Sequence, residues 1–442
     1  MAKFIKNNRI FAILAVLAFL TRFAFLSYPA EVVFDEVHFG KFVSAYFTGE
    51  YYFDIHPPLG KLMIAGFAKI FGYGGGFDFA RIGETFEANS LFALRFLPAL
   101  FGALFALLIY LLVLKIGLSK KAAFLAGALI IFDNTLLVES KFILVDIFLL
   151  FFGFLSFYFF FSAKKFKNYF LNTIFYILSA LSVGLALSIK WTSLSFLGII
   201  LLFIFLDFLK NLNFATGVEK LRKFGIELAI FTIAPFLIYL SVFAVHLLLL
   251  PKAGPGDAFM NQNFQQKPIW QKFTELNQKM YFYSSTLKAG HQDGSRWYEW
   301  PFMRKPIWYW THSENLKQAN IYLTGNPLIW WSVLISVAAG LLMVLKKQKM
   351  RFYFLLTGFF LNLLPFAGVS RVTFLYHYLP ALTFGILTFA VLTEKIFKNN
   401  YLYFSFLALV ILVFLAISPI SYGFSVPQQI SQLYSWLIEI LH

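Results

Sequence analysis

Residues 142–163 read FILVDIFLLFFGFLSFYFFFSA, and Lys164, Lys165 and Lys167 follow them closely. One charge, Asp146, stands near the start of a run long enough to cross a bilayer, which takes about 20 mostly apolar residues. Cations close the run. The rest of the chain repeats the theme: of 442 residues, 60% are hydrophobic, 21% aromatic and only 13% charged. Soluble domains carry roughly 25% charged residues, and so few charges cannot cover so much apolar surface in water. A soluble or disordered protein is excluded, and the composition is that of an integral membrane protein. The absence of cysteine removes disulfides, thiolate metal sites and cysteine nucleophiles.

Eleven stretches have the length and apolarity of a span: 10–27, 91–114, 122–138, 142–163, 169–189, 191–209, 224–250, 327–345, 352–369, 374–393 and 401–419. With the N-terminus in the cytoplasm, every second connection is cytoplasmic. More than half of the 37 basic residues then fall there, from Lys3, Lys6 and Arg9 through Lys115, Lys120 and Lys121 to Lys346, Lys347, Lys349, Lys395 and Lys398. The positive-inside rule therefore predicts an N-in, C-out chain. The formal charge of +16 is topogenic, and no nucleic-acid partner is expected. A cleaved signal peptide is the alternative for the first span, but no small-residue cleavage pattern is evident. Two long segments, 28–90 and 251–326, are left outside the cytoplasm, and ordered loops of that length are usually functional.

Ionisable groups are costly at membrane depth, so where they gather is informative. Arg95, Asp133, Glu139, Lys141, Asp146, Lys190, Arg371 and His377 all fall at the non-cytoplasmic ends of their spans. Snorkelling explains any one of them. A set of mixed sign from many helix ends points instead to an outward-facing polar cavity. The first outer segment opens with Glu31, then Asp35-Glu36-Val37-His38, and continues to Asp54-Ile55-His56-Pro57-Pro58. Two prolines hold His56 in extended backbone. After them Leu62, Met63, Phe67, Ile70 and Phe71 form one face opposed by Lys61 and Lys69, which predicts a short interfacial helix. The second outer segment holds Trp270, Trp297, Trp300, Trp308 and Trp310, among them the run Ser295-Arg296-Trp297-Tyr298-Glu299-Trp300-Pro301. An aromatic interfacial belt and a sugar- or peptide-binding platform both fit these residues.

Taken together, the motifs resemble the protein O-mannosyltransferases, which use dolichyl- or polyprenyl-phosphate mannose. The matching pieces run in order along nearly the whole chain. They are Phe34-Asp35-Glu36-Val37-His38-Phe39-Gly40, Asp54-Ile55-His56-Pro57-Pro58-Leu59, Arg95-Phe96-Leu97-Pro98, Glu139-Ser140-Lys141-Phe142-Ile143-Leu144-Val145-Asp146, Lys190-Trp191, Ser295 to Pro301, Gly325-Asn326-Pro327, and Arg371 to Pro380 with Tyr376-His377-Tyr378 inside it. The resemblance implies an all-α polytopic membrane protein of the GT-C glycosyltransferase architecture, one membrane-embedded catalytic unit over 1–442. It implies an inverting transfer of mannose from a polyprenyl-phosphate-mannose lipid to Ser/Thr hydroxyls of exported polypeptides, at the secretion machinery in some settings. Lys141 stands where family members often have Arg, and 251–326 is too short for the β-trefoil MIR domain of eukaryotic members. A bacterial or archaeal enzyme of the plasma membrane is expected, with its site on the extracytoplasmic face.

The chemistry implied needs one carboxylate to take the acceptor proton and cations to neutralise the departing phosphate. Asp35 is the expected base, with Glu36 beside it in acceptor or scaffold contacts. Arg95 and Arg371, helped by Lys141 or Lys190, are expected on the phosphate, with Asp146, Tyr376 and His377 lining the lipid-sugar pocket. Asp54, His56, Arg296, Glu299 and Trp300 are expected to touch the acceptor or position its loops. No cofactor beyond the lipid-linked donor is required; a divalent ion held by Asp35, Glu36, Asp54 and His56 is the less favoured reading. Two competing functions remain: a related lipid-linked sugar transferase with a lipid or glycan acceptor, and a transporter. The polar residues crowd one face without evident repeats, unlike transporter sites near mid-membrane.

Overall fold

The computed structural model describes residues 9–166, 168–211, 217–286, 290–345, 350–397 and 399–441. Of the topogenic cations, Lys3, Lys6, Lys167, Lys346, Lys347, Lys349 and Lys398 lie outside the described residues. Among those described, nine helices are long and apolar enough to cross a membrane: Ala88–Lys115, Asp146–Ala163, Tyr169–Leu187, Trp191–Lys210, Gly217–Leu249, Pro327–Leu345, Arg351–Gly368, Leu375–Glu394 and Asn400–Tyr422. Each matches an expected span. The remaining two of the eleven are shorter. Residues 10–27 give α1 (Arg9–Phe23), of 15 residues, and 122–138 is broken into α5 (Lys120–Ile131) and α6 (Asn134–Glu139). The break has a cause in the sequence. Asp133 leaves helical geometry to cap α6, accepting the Leu136 N–H at 3.0 Å as short polar side chains do at helix starts. Its second oxygen takes the Trp330 indole N–H at 2.8 Å. Hydropathy alone runs straight through such a break.

Helices pack in a bundle whose middle and rim differ in burial. The apolar window of Leu375–Glu394 is 89% buried, whereas that of Gly217–Leu249 is 22% buried, so the first is central and the second presents most of its surface outward. Phenylalanine fills the centre: Phe154, Phe157, Phe196, Phe354 and Phe384 meet with ring centroids 4.9–6.3 Å apart. Edge and tilted contacts of this kind add to simple burial. Where α8 (Tyr169–Leu187) crosses α10 (Gly217–Leu249), a Cβ at Gly184 would lie 2.8 Å from the Pro235 Cα, so only glycine permits the approach.

One end of the bundle carries the two long segments. In 28–90 these form α2 (Glu36–Thr48), which starts directly after Asp35, and α3 (Leu59–Ile70). The short helix after the prolines is present, but Lys61 is not on an open polar face: it is buried and turned inward. Segment 251–326 holds α11 (Ile269–Thr286) and a hairpin of β1 (Ile307–Glu314) and β2 (Lys317–Leu323). This is the departure from an all-α chain, and β3 (Val426–Pro427) extends it to three strands in the order β1-β2-β3. The pairing Ile307↔Leu323 and Trp308↔Tyr322 resumes at Trp310↔Ile321. Tyr309 is thereby a bulge, and bulges re-aim side chains.

Candidate active site

The turn before α2 is where the two segments meet. Phe34 has φ +41°, a left-handed conformation that costs a non-glycine residue energy. Tyr309 holds it there. Its carbonyl accepts the Phe34 N–H at 3.0 Å, and its ring stacks on Phe34 at 4.2 Å with planes 15° apart. Its hydroxyl donates to Glu139 Oε1 at 2.7 Å, while Glu139 Oε2 is buried without a partner. The bulge in β1 thus fixes the residue that precedes Asp35. Tyr309 was not singled out in the sequence, because nothing in Ile307-Trp308-Tyr309-Trp310 marks the bulge.

Asp35 occupies the N-cap position of α2, yet its carboxylate makes no capping hydrogen bond. It is half-buried, with Lys190, Asp146, Asp54 and His291 near enough to act on its charge. Burial pushes its carboxyl up to about 6; the Lys190 cation opposes that shift, and the Asp146 and Asp54 carboxylates add to it. His56 stands near Lys190 too. Burial, reinforced by Lys190, Arg371 and Lys61, holds its imidazole well below the usual histidine range, so it is neutral at pH 7. Asp35, Asp146, Glu139 and Arg371 all act electrostatically on Tyr376, and Lys190 and Arg371 act on His377. Expected residues from both segments and several helix ends therefore do converge.

The charges in this cluster pair off unequally. Lys190 Nζ bonds both Asp146 oxygens, at 2.9 and 2.6 Å, and lies 5.1 Å from the Tyr376 ring. Lys61 Nζ bonds Asp54 Oδ2 and the His56 carbonyl, and Asp54 Oδ1 accepts the His56 N–H at 3.1 Å. Lys61 and Asp54 thus shape the proline-containing loop around His56. Among the described residues, the Asp35 carboxylate and the Arg371 guanidinium are left without a hydrogen bond or ion pair. One anion and one cation of the cluster, both acting on Tyr376, stand unpartnered.

Several residues expected at the site are engaged within the protein itself. Glu36 is fully buried and accepts from Arg95 Nε at 2.8 Å, Arg95 Nη2 at 2.7 Å, the Val33 N–H at 2.9 Å and the Ile143 N–H at 3.0 Å. Four donors saturate its carboxylate, so it has no capacity for a substrate proton. Arg95, also fully buried, gives its remaining donors to the carbonyls of Pro29 and Glu31, each at 2.9 Å. Lys141 Nζ donates to the Ala24 and Phe25 carbonyls at 2.6 and 3.0 Å, completing the end of α1 (Arg9–Phe23), as cations do at helix C-termini. The donors of Arg95 and Lys141 are thus taken by groups of the protein itself. The four-residue metal set is split as well, since Glu36 faces Arg95 and Asp54 faces Lys61. Among the described residues no three His, Asp or Glu side chains gather to hold an ion.

The second segment shows the same division. Trp300 is fully buried; its indole donates to Ser295 Oγ at 3.0 Å and its ring stacks on His377 at 5.8 Å. It is the wall behind His377, which stacks in turn on Tyr376 at 4.6 Å, and not an open platform. Trp310 is buried too, donating to Glu31 at 2.7 Å. Arg296 is exposed; its guanidinium bonds the Tyr298 hydroxyl at 3.1 Å, while Glu299 accepts the Arg296 N–H at 2.7 Å. Both side chains bond within their own turn. A hollow of about 740 Å³ lies at the other end, lined by Asp207, Glu219, Lys220, Arg222, Lys223 and Glu227, and shares no residue with this cluster.

Residues 12–251 match the family described as dolichyl-phosphate-mannose-protein mannosyltransferase, and residues 269–439 match the C-terminal four-transmembrane region of protein O-mannosyltransferase. Protein O-mannosyltransferase 1 of Drosophila melanogaster is 36% identical over 260 residues, 57% of this chain and 29% of that protein. Dolichyl-phosphate-mannose--protein mannosyltransferase 1 of Saccharomyces cerevisiae is 33% identical over 269 residues, 59% of this chain and 32% of that protein. The matched regions thus span about a third of these relatives' length. In fold, the chain is similar to the S. cerevisiae protein O-mannosyltransferase Pmt1-Pmt2 complex bound to the sugar donor, with a TM-score of 0.89, 20% identity and coverage of 98% of this chain and 92% of that one. It is also similar to ArnT from Cupriavidus metallidurans bound to undecaprenyl phosphate, with a TM-score of 0.55, 11% identity and coverage of 93% and 70%. The fold is that of the GT-C glycosyltransferases, and the chain belongs to the dolichyl-phosphate-mannose-protein mannosyltransferase family.

Proposed function

We propose that this chain is an inverting glycosyltransferase that moves mannose from polyprenyl-phosphate mannose to Ser or Thr hydroxyls of polypeptides leaving the cytoplasm. The observation that carries the reading is the unpartnered pair of the cluster: Asp35, an anion with a raised pKa, and Arg371, a free cation. Asp35 takes the proton from the acceptor hydroxyl as its oxygen bonds to the anomeric carbon. The bond from that carbon to the phosphate oxygen breaks, and the phosphate leaves with the electron pair. Arg371 receives the phosphate, as guanidinium forks do, with Lys190 beside it on its Asp146 anchor. Tyr376 and His377 line the sugar side. Glu36 and Arg95 position Asp35 by wedging the start of α2, and Lys141 locks the end of α1. Asp54 and Lys61 hold the His56 loop against the cluster, and Arg296, Glu299 and Trp300 shape the loop that covers it.

The membrane is read as the plasma membrane with the cluster on its extracytoplasmic face, because the basic connections fall at the opposite end. The test is transfer of labelled mannose from polyprenyl-phosphate mannose to a Ser/Thr-rich peptide by the purified protein, with and without EDTA. Label on the peptide supports donor and acceptor together. Donor turnover that labels a lipid or glycan instead would overturn the acceptor.

A further inference from the structure

The last helix, α16 (Gln428–Leu441), has two faces that the bundle does not explain. One edge is fastened to the protein. Ser431 bonds Gln318 at 2.9 Å and Asn320 at 3.2 Å on β2, Tyr434 donates to the Ala416 carbonyl at 2.6 Å, and Ile438 packs on Ile417 and Ile420. Its ends are tied as well, through Gln428 N–H to Leu316 at 3.1 Å and Lys305 N–H to Leu441 at 2.8 Å. Beside that edge runs an exposed apolar arc of Ile430, Leu433, Trp436, Leu437 and Ile440; Leu433 is 62% and Trp436 58% exposed. Gln428, Gln432, Ser435 and Glu439 line the flank between the arc and the fastened edge, and Gln429, near the start of the helix, is the one polar residue within the arc, by the helical period of 3.6 residues.

The depth of this arc identifies its partner. Ala416 lies in α15 (Asn400–Tyr422), six residues before that helix ends, which at 1.5 Å per residue is about 9 Å inside its terminus. The middle of α16 is therefore level with the last turns of a membrane-spanning helix. On α15 Leu409, Leu412 and Leu415 are exposed in the same way, so both helices present open apolar surface. Glu439 is the one charged residue of α16, which removes attraction to anionic lipid as the driving force and leaves apolar burial.

We propose that α16 is an interfacial helix: its apolar arc is inserted in the bilayer leaflet at the end where α15 emerges, and it holds the β1-β2 hairpin at that surface. A tryptophan on the arc fits the head-group boundary. The occupant is neutral lipid, and no second copy of the chain is required. Because this hairpin carries Tyr309, which fixes the turn before Asp35, the bilayer becomes one wall of the frame around that carboxylate.

The absence of cysteine allows a direct test. Single cysteines Gln432→Cys, Leu433→Cys, Glu439→Cys and Ile440→Cys in the full chain are spin-labelled, and the protein is placed in phosphatidylcholine vesicles. Relaxation by oxygen, which concentrates in hydrocarbon, is compared with relaxation by a water-soluble nickel chelate. Leu433 and Ile440 are expected to favour oxygen, and their neighbours Gln432 and Glu439 the chelate, with the ratio inverting over one residue at both places. Equal access of the chelate to all four would overturn the proposal, because the arc would then face water. Exclusion of both reagents at Leu433 and Ile440 would overturn it too, because protein would cover the arc.

Discussion

Asp35 and Glu36 are adjacent carboxylates at the start of one helix, and their surroundings could hardly differ more. Glu36 sits in a sealed wedge where four donors meet two oxygens, and its partner Arg95 bonds carbonyls with what remains. Asp35, one residue earlier, feels the charges of Lys190, Asp146, Asp54 and His291 and bonds none of them. The wedge is satisfied and therefore structural. The Asp35 carboxylate is unsatisfied and therefore available to chemistry. A buried polar group without a partner costs free energy, and a carboxylate left unpaired beside a fully paired twin is what the proposed role of Asp35 requires.

Breaking the wedge is expected to have the largest effect on the protein as a whole. Arg95→Ala leaves Glu36 charged, buried and without its partner, which costs about 3–5 kcal/mol; thermal unfolding in detergent would show a large drop in Tm or loss of folded protein. Asp35→Asn is expected to leave Tm unchanged and to lower kcat by about 10²–10⁴, the usual worth of a positioned general base. If Arg95→Ala were as stable as wild type, or Asp35→Asn unfolded, the contrast between the two sites would collapse. Arg371→Ala removes charged hydrogen bonds to the donor phosphate, each worth about 1.5–3 kcal/mol, and donor affinity measured by titration should fall about tenfold or more.

Smaller effects sharpen the comparison. Tyr309→Phe keeps the stack on Phe34 but leaves the buried Glu139 carboxylate without its donor, a cost of about 1–3 kcal/mol, read as a moderate fall in Tm together with a fall in kcat. The pH dependence follows from Asp35, which must be ionised to accept a proton. Its carboxyl is raised to about 6 by burial, so kcat/KM should rise with pH, about tenfold per unit below that value, and level off above it. A profile flat down to pH 4.5 would remove a raised carboxylate from the rate.

Much of the fold was legible because membrane crossing is a simple code: nine of the stretches read from hydropathy and loop charge are long apolar helices. The break within 122–138 was not legible, because a capped turn at Asp133 costs hydropathy almost nothing. A gathering of charges at one end was legible, and Asp35, Lys190 and Arg371 act there on one another or on the shared neighbours Tyr376 and His377. Which charges face one another was not legible. Nothing in the sequence says that Arg95 turns to Glu36, that Lys141 turns to the end of α1, or that Lys61 turns inward to Asp54, since each pairing spans separate elements. Tyr309 escaped for the same reason, its position depending on a bulge across a hairpin.

The most direct measurement is a paired one on purified, folded Asp35→Asn: binding of polyprenyl-phosphate mannose, and transfer of its mannose to a Ser/Thr peptide. If Asp35 is the base and Arg371 the phosphate site, the variant should bind donor within about twofold of wild type, a difference well below the 1.4 kcal/mol that a tenfold change represents, and should transfer essentially no sugar. Transfer at the wild-type rate, with binding intact, would contradict the assignment of Asp35 and move the proton to another group in the cluster.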